Sequence, residues 1–282
     1  MVKTDQAEGL RRMLAVPRPR VLSFISVLDD HRKSRMLINL SMALASQGQE
    51  VMVVDARCTR HSVGVWMNAR FDRCLLDVAR QQRTMQEAVK TVVTGLNVTQ
   101  LCRQSESLEW LPQESVRQLN RVLDMAANHA DLMLVDVAPD EQDQFPLSAL
   151  DDSELMIQVS ATPEEIKAAY ALIKRLSQRL GRRTFHILVS AASERDARLI
   201  YSNMAQAASR YLAVPLQYAG FVPEDEYVVR AAHQGQSVTD AFPNSRAAQS
   251  YMALGAALAQ QAGMEAVRGM SGQADLGVSL GM

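Results

Sequence analysis

The chain has 282 residues, is 48% hydrophobic and 22% charged, and carries a formal net charge of -1, as expected of one sizeable soluble α/β domain rather than a disordered segment. Acids and bases nearly cancel with no long basic stripe, which speaks against nucleic acid as a partner. Apolar runs such as Val51-Met52-Val53-Val54 are strand-length, far short of a membrane span, and Asp5, Glu8 and two arginines interrupt any secretory leader.

Residues 5–14 read as a short helix, with Leu10, Met13 and Leu14 at i, i+3 and i+4 and Asp5 where an N-cap is useful. Val16-Pro17-Arg18-Pro19-Arg20 disfavours helix and prescribes an extended tether. Arg11, Arg12, Arg18 and Arg20 cluster there, as a solvated helix end or as a partner contact. Residues 21–27 read as a buried strand, and 33–47 as an amphipathic helix with Met36, Leu37, Leu40, Ala43 and Leu44 on one side, ended by Gly48. A strand at 50–55 precedes an irregular stretch, 57–73, where Trp66 and Met67 serve as core cover or as a partner surface. Residues 75–79 and 85–92 read as helical and 96–102 as extended.

The periodicity of Val116, Leu119, Val122, Leu123 and Ala126 predicts a helix over 115–130, leading into a strand at 132–137. Another strand, 154–159, precedes a sharp helix start, with Thr162 as N-cap, Pro163 at the first position and Glu165 completing a capping box. Its expected inward stripe is Ile166, Tyr170, Ile173, Leu176 and Leu180. Strands at 184–190 and 216–222 flank a helix at 197–211, and Tyr251, Met252, Leu254 and Leu258 read as core contacts of a last helix. Strands alternating with helices at this spacing imply an α/β fold with a mostly parallel sheet flanked by helices on both faces. The expected organisation is an N-terminal helix and tether at 1–20, an α/β domain at 21–262 and a flexible, Gly-rich tail at 263–282. In that tail Met264, Val267 and Met270 give one weak apolar face, and Arg268 is the lone cation, so membrane association is expected to be weak and peripheral at most. Cys58, Cys74 and Cys102 show no CxxC spacing, so neither a zinc site nor a disulfide framework is expected, and a reduced cytoplasm is the expected compartment.

Strand, loop, Lys33-Ser34, helix is the order of a phosphate-binding loop, in which backbone amides cradle phosphates, a lysine reaches them and a hydroxyl holds magnesium. The same two residues also fit a plain helix start, and Asp55 and Asp136 fit polar strand ends. The intervening loop, Val27-Leu28-Asp29-Asp30-His31-Arg32, has no glycine.

Taken with Asp5-Gln6-Ala7 and Leu10-Arg11, with Tyr170-Ala171-Leu172-Ile173-Lys174, with Pro223 and Asp225, and with Asp240-Ala241-Phe242-Pro243, the chain resembles the MinD/ParA group of deviant P-loop ATPases. Within that group it resembles the flagellar-number regulators of the FlhG (FleN) type, over residues 5 to about 262. The resemblance implies the P-loop NTPase fold. It also implies that the family's KGGVGK[ST] loop is altered here. Leu28 stands at the lysine that crosses to a dimer partner's ATP, and Asp29, Asp30 and Arg32 stand at the glycines. Side chains there fill a nest that needs bare backbone, and each aspartate adds repulsion toward phosphate of about 1 to 4 kcal/mol. The family's water-positioning aspartate is Arg57, in Asp55-Ala56-Arg57. Asp136 is kept, but Val137-Ala138-Pro139-Asp140 follows where the family has a γ-phosphate-sensing glycine, and Ser190 stands at the adenine-contacting asparagine.

The resemblance therefore implies a pseudo-ATPase without a resident cofactor, expected to stay monomeric. It further implies that Asp5, Gln6, Ala7, Leu10 and Arg11 dock on and stimulate the signal-recognition-particle-type GTPase FlhF, with Gln6 organising the hydrolytic site. An amide can orient water without acting as a base. Flagellar C-ring proteins or a flagellar transcription regulator are further implied partners, and the cell pole a location reached through them. Two other readings stay open: a divergent ATPase holding Mg-ATP through Lys33, Ser34 and Asp136, and a ParA-like positioning module acting on DNA or other cargo.

Overall fold

The computed structural model describes residues 19–58, 63–67, 71–103, 106, 108 and 111–275, with side-chain surroundings for all of these except Val65, Trp66 and 262–275. Eight strands form one sheet: β1 (Arg20–Ser26), β2 (Val51–Asp55), β3 (Lys90–Val93), β4 (Leu96–Gln100), β5 (Leu132–Asp136), β6 (Glu154–Ser160), β7 (Phe185–Ala191) and β8 (Leu216–Pro223). Their spatial order is β3-β4-β2-β5-β1-β6-β7-β8. All neighbours are parallel except the edge hairpin β3–β4. The α/β expectation of a mostly parallel sheet covered on both faces is met.

Both faces are buried because strand residues of alternate parity enter two separate cores. Leu22, Phe24, Leu132, Leu134 and Met156 pack under α1 (Asp30–Ser46), with Met36, Leu37, Leu40 and Leu44 as expected from its stripe. On the other face, Ile25, Met133, Val135, Leu155 and Ile157 pack under α5 (Gln113–Ala127), α6 (Pro163–Leu180) and α7 (Glu194–Leu212). Short helices α2 (Val63–Trp66), α3 (Leu75–Ala79) and α4 (Met85–Ala88) precede the hairpin, while α8 (Glu226–His233) and α9 (Val238–Ala241) lead to α10 (Arg246–Asp275). Helix α10 lies against α1, where a side chain at Gly255 would come within 3.2 Å of Gln47.

Several elements depart from the sequence reading. Helix α1 starts at Asp30 instead of Lys33, because Asp29 acts as its N-cap. The helix expected over 85–92 stops at Ala88; β-branched Thr91, Val92 and Val93 instead pair with β4 across a turn at Gly95, whose φ is +79°. The inward face of α6 is Ala169, Leu172, Ile173 and Leu176, with Ile166, Tyr170 and Leu180 only partly buried. In α10, Tyr251, Leu254 and Leu258 are core as expected, but Met252 is exposed, and the helix continues to Asp275. Met67 is half-buried against the core under α1; the side chain of Trp66 lies outside the described set. Arg20 is buried rather than part of a solvated linker. No helix among the described residues is long and apolar enough to cross a membrane.

Candidate functional site

From β1 the chain runs by way of α1 to β2, two strands to one side, and later returns through β5 to cross to β6 on the other side. That makes the carboxyl end of β1 the topological switch point, where ligands of open α/β sheets bind. The sheet register brings the candidate residues to it. Asp55 stands opposite Asp136, and Ser26 opposite Gln158. Leu28, Asp29, Asp30, Arg32, Lys33 and Ser34 follow β1 directly, and Ser190 lies near the carboxyl end of β7, two strands away. Lys33, Ser34, Asp55 and Asp136 are all at most 2% exposed.

The loop between β1 and α1 is only residues 27–29. Asp29, extended at φ −62° and ψ 160°, accepts a hydrogen bond from the Arg32 amide at 2.9 Å, and its carbonyl accepts from the Lys33 amide at 3.1 Å. One amide of the helix N-terminus, where a phosphate would sit in a phosphate-binding loop, is thus satisfied by the protein's own carboxylate. Such an Asp cap is worth roughly 0.5–2 kcal/mol. Asp30 in the first turn adds a second charge that suits the helix dipole.

Lys33 is turned inward. Its Nζ forms an ion pair with Asp136 and donates to the Val137 carbonyl at 2.8 Å. Burial lowers its pKa and the Asp136 charge opposes that. Arg57 pairs with Asp30, so the turn after β2 reaches back to the loop. Asp55 accepts from the Arg57 and Cys58 amides at 3.1 and 3.0 Å, which folds the turn that presents Arg57. Arg32 donates to Glu165 at 3.1 Å and lies 3.7 Å from Glu224. Leu28 is buried, and its amide donates to Ser26 Oγ at 3.0 Å. Ser190 accepts from Gln158 Nε2 at 3.5 Å. Asp140 instead caps its own turn through the Gln142 and Gln144 amides.

Sequence reasoning missed Glu165, Ser160 and Glu224. Thr162 caps α6 as expected, accepting from the Glu165 amide, but the Glu165 carboxylate does not close the capping box. It pairs with Arg32 and accepts from Ser160 Oγ. The signal was an arginine in a loop normally made of glycine, which needs an acid somewhere, but 133 residues of separation hid which one.

Mg-ATP does not fit these residues as arranged. The Asp29 carboxylate takes the Arg32 amide, the lysine is paired with Asp136, and six carboxylates (Asp29, Asp30, Asp55, Asp136, Glu165, Glu224) face three cations (Arg32, Lys33, Arg57). A polyphosphate entering there would have to break these pairs against a net negative field. Asp5, Gln6, Ala7, Leu10 and Arg11 lie outside the described residues.

The fold is similar to that of several known structures. MinD of Pyrococcus horikoshii in complex with Mg-ADP superposes with a TM-score of 0.64 at 18% identity, covering 87% of this chain and 98% of that one. The MinD cell division protein of Aquifex aeolicus gives 0.63 at 17% identity, over 85% and 96%. The chain therefore has the fold of the MinD/ParA-type P-loop NTPases. By sequence it is 28% identical over 223 residues, 79% of this chain and 80% of the relative, to the antiactivator FleN of Pseudomonas aeruginosa. It is also 27% identical over 228 residues, 80% of this chain and 82% of the relative, to an uncharacterized ATP-binding protein of Methanocaldococcus jannaschii. No family model matches the chain. The FlhG/FleN resemblance read from the sequence is borne out by this likeness together with the MinD/ParA fold.

Proposed function

We propose that this chain is a FlhG/FleN-like regulator of flagellar number or placement that works by binding and has given up ATP hydrolysis. The observation that supports it is the internal pairing at the carboxyl end of β1: Asp29 on the Arg32 amide, Lys33 on Asp136, and Arg57 on Asp30. An arginine at position 57 can neither accept a proton nor orient water as a carboxylate does. With no nucleotide to gate it, the body is a fixed scaffold, expected to be monomeric with or without ATP, located in the cytoplasm and reaching the pole through its partners.

On this reading residues 5–14 supply the activity, as an activator of an FlhF-like GTPase with Gln6 orienting the attacking water. Steady-state GTP turnover by purified FlhF, alone, with this protein and with its Gln6→Ala variant, tests it. Stimulation that disappears in the variant is expected; equal turnover in all three would overturn the activator role. Calorimetric titration with a non-hydrolysable ATP analogue tests the scaffold. No heat at micromolar concentrations is expected, whereas tight binding abolished by Lys33→Ala would establish the divergent ATPase instead.

A further inference from the structure

Beside the candidate site, on the far side of Arg57, lies a cavity of about 520 Å³ lined by Arg57, Cys58, Cys102, Glu106, Asp140 and Phe145, among others. Two of its lining residues are thiols from different strand ends. Cys58 follows β2 and Cys102 follows β4. The Cys102 thiol donates to Cys58 Sγ at 2.9 Å, and the Cys102 amide donates to the same sulfur at 3.3 Å.

The backbone is bent to achieve this. Cys58 has a φ of +54°, in the left-handed region that a non-glycine residue occupies at a cost. Asp55 holds it there by accepting the Cys58 amide. Cys74, the third cysteine, is buried elsewhere against its own neighbour Asp77.

We propose that Cys58 and Cys102 are a modification site for hydroperoxides, forming a reversible intramolecular disulfide that ties the turn carrying Arg57 to the end of β4. Cys58, the more exposed of the two, attacks one peroxide oxygen. The O–O bond breaks, the departing oxygen leaves as water with the thiol proton, and Cys58 becomes a sulfenic acid. Cys102 sulfur then attacks Cys58 sulfur, the S–O bond breaks, and the second oxygen leaves as water with the Cys102 proton. Two thiols are oxidised and one peroxide is reduced to two waters. The sulfurs need to close by only about 0.9 Å to reach bonding distance.

The thiol–thiol hydrogen bond and burial both hold the Cys58 proton above the ordinary thiol range, so its attack on peroxide is slow at neutral pH and quickens as pH rises. The amide of Cys102 aimed at Cys58 works the other way and favours the thiolate as it forms.

The test is to treat the reduced full-length protein with hydrogen peroxide, quench it, alkylate it in denaturant and map its peptides by mass spectrometry. Wild type and Cys74→Ser are expected to lose two hydrogens, to yield a Cys58–Cys102-linked peptide within monomeric chains, and to recover all thiols with dithiothreitol. Cys58→Ser and Cys102→Ser, both near-isosteric changes, are expected to lose the linkage completely. Three alkylatable cysteines after peroxide would overturn the proposal. So would irreversible oxidation of Cys58 with Cys102 still alkylatable, or cross-links found only between chains.

Discussion

The two ends of β1 carry clusters that look alike chemically and differ in what they displace. At the amino end, Arg20 grips both oxygens of Glu154 at 2.5 and 2.6 Å and donates to the Leu258 carbonyl and the Gln261 amide oxygen. At the carboxyl end, Lys33 pairs with Asp136, Arg57 with Asp30 and Arg32 with Glu165. The first cluster fastens α10 to the bottom of the sheet, where this architecture has no ligand to bind. The second sits where the fold places a ligand, and the chain has furnished that position with its own charges. Internal pairing thus furnishes the end of the sheet at which this fold binds ligands, without collapse of the surrounding sheet.

The sharpest break between the two readings of the carboxyl end is Lys33→Ala. A lysine held ready for phosphate is solvated, and its loss leaves stability nearly unchanged. Here its removal strands Asp136 without a cation in the core, and the expected cost is about 3–5 kcal/mol in urea unfolding. The paired change Lys33→Met with Asp136→Leu should recover much of that, because it removes both charges together. If Lys33→Ala unfolds like wild type, the buried pair is not structural and the comparison fails.

Arg20→Ala comes next, at about 2–3 kcal/mol, since it removes hydrogen bonds from a charged donor that is itself buried. Its signature is local. Hydrogen exchange should rise around residues 254–261 of α10 while α1 keeps its protection. Uniform loss of protection would mean that Arg20 supports the whole sheet rather than the α10 clasp.

Arg57→Ala is expected to cost only about 0.5–1 kcal/mol, because its pair with Asp30 is partly exposed. Asp30→Ala should cost a similar amount, and a double-mutant cycle on the two should give a coupling within that range. A larger coupling would mean that the Arg57 turn is held more tightly than its exposure implies.

The layering of the fold was readable because hydrophobic runs and helical stripes are local signals, and the positions of Lys33, Ser34, Asp55 and Asp136 followed from strand ends. What stayed hidden depended on partners distant in sequence. Glu165 carried a clear local signature, a capping-box acid, yet Arg32 outcompetes the helix for it. The early start of α1 was locally encoded in Asp29-Asp30, an N-cap and a first-turn acid, but reading the stretch as a phosphate-binding loop masked it. Strand β3 is masked in the same way, because the helix expected over 85–92 runs through Thr91 and Val92 although Gly95 marks a turn. The pairing of Cys58 with Cys102 needs the β2–β4 register, which no spacing in the chain displays.

The smallest effect separates the ends of β1 by pH. His186 stands 3.5 Å from Glu154, and burial, aided by Arg20 and Arg183, holds its pKa below the ordinary value of 6.5 against the opposing pull of Glu154. The unfolded chain therefore takes up this proton at a higher pH than the folded one. Between the two values the unfolded state binds more protons, so stability falls as pH drops below about 6.5 and levels off once the folded histidine is also protonated. The slope cannot exceed about 1.4 kcal/mol per pH unit for one group. Measured by urea unfolding from pH 7.5 down to 5.5, the difference between wild type and His186→Gln should shift steadily against wild type, with no change at the alkaline end. Parallel curves would mean that the folded histidine is protonated as easily as the unfolded one, and that Glu154 rather than burial governs the amino-end cluster.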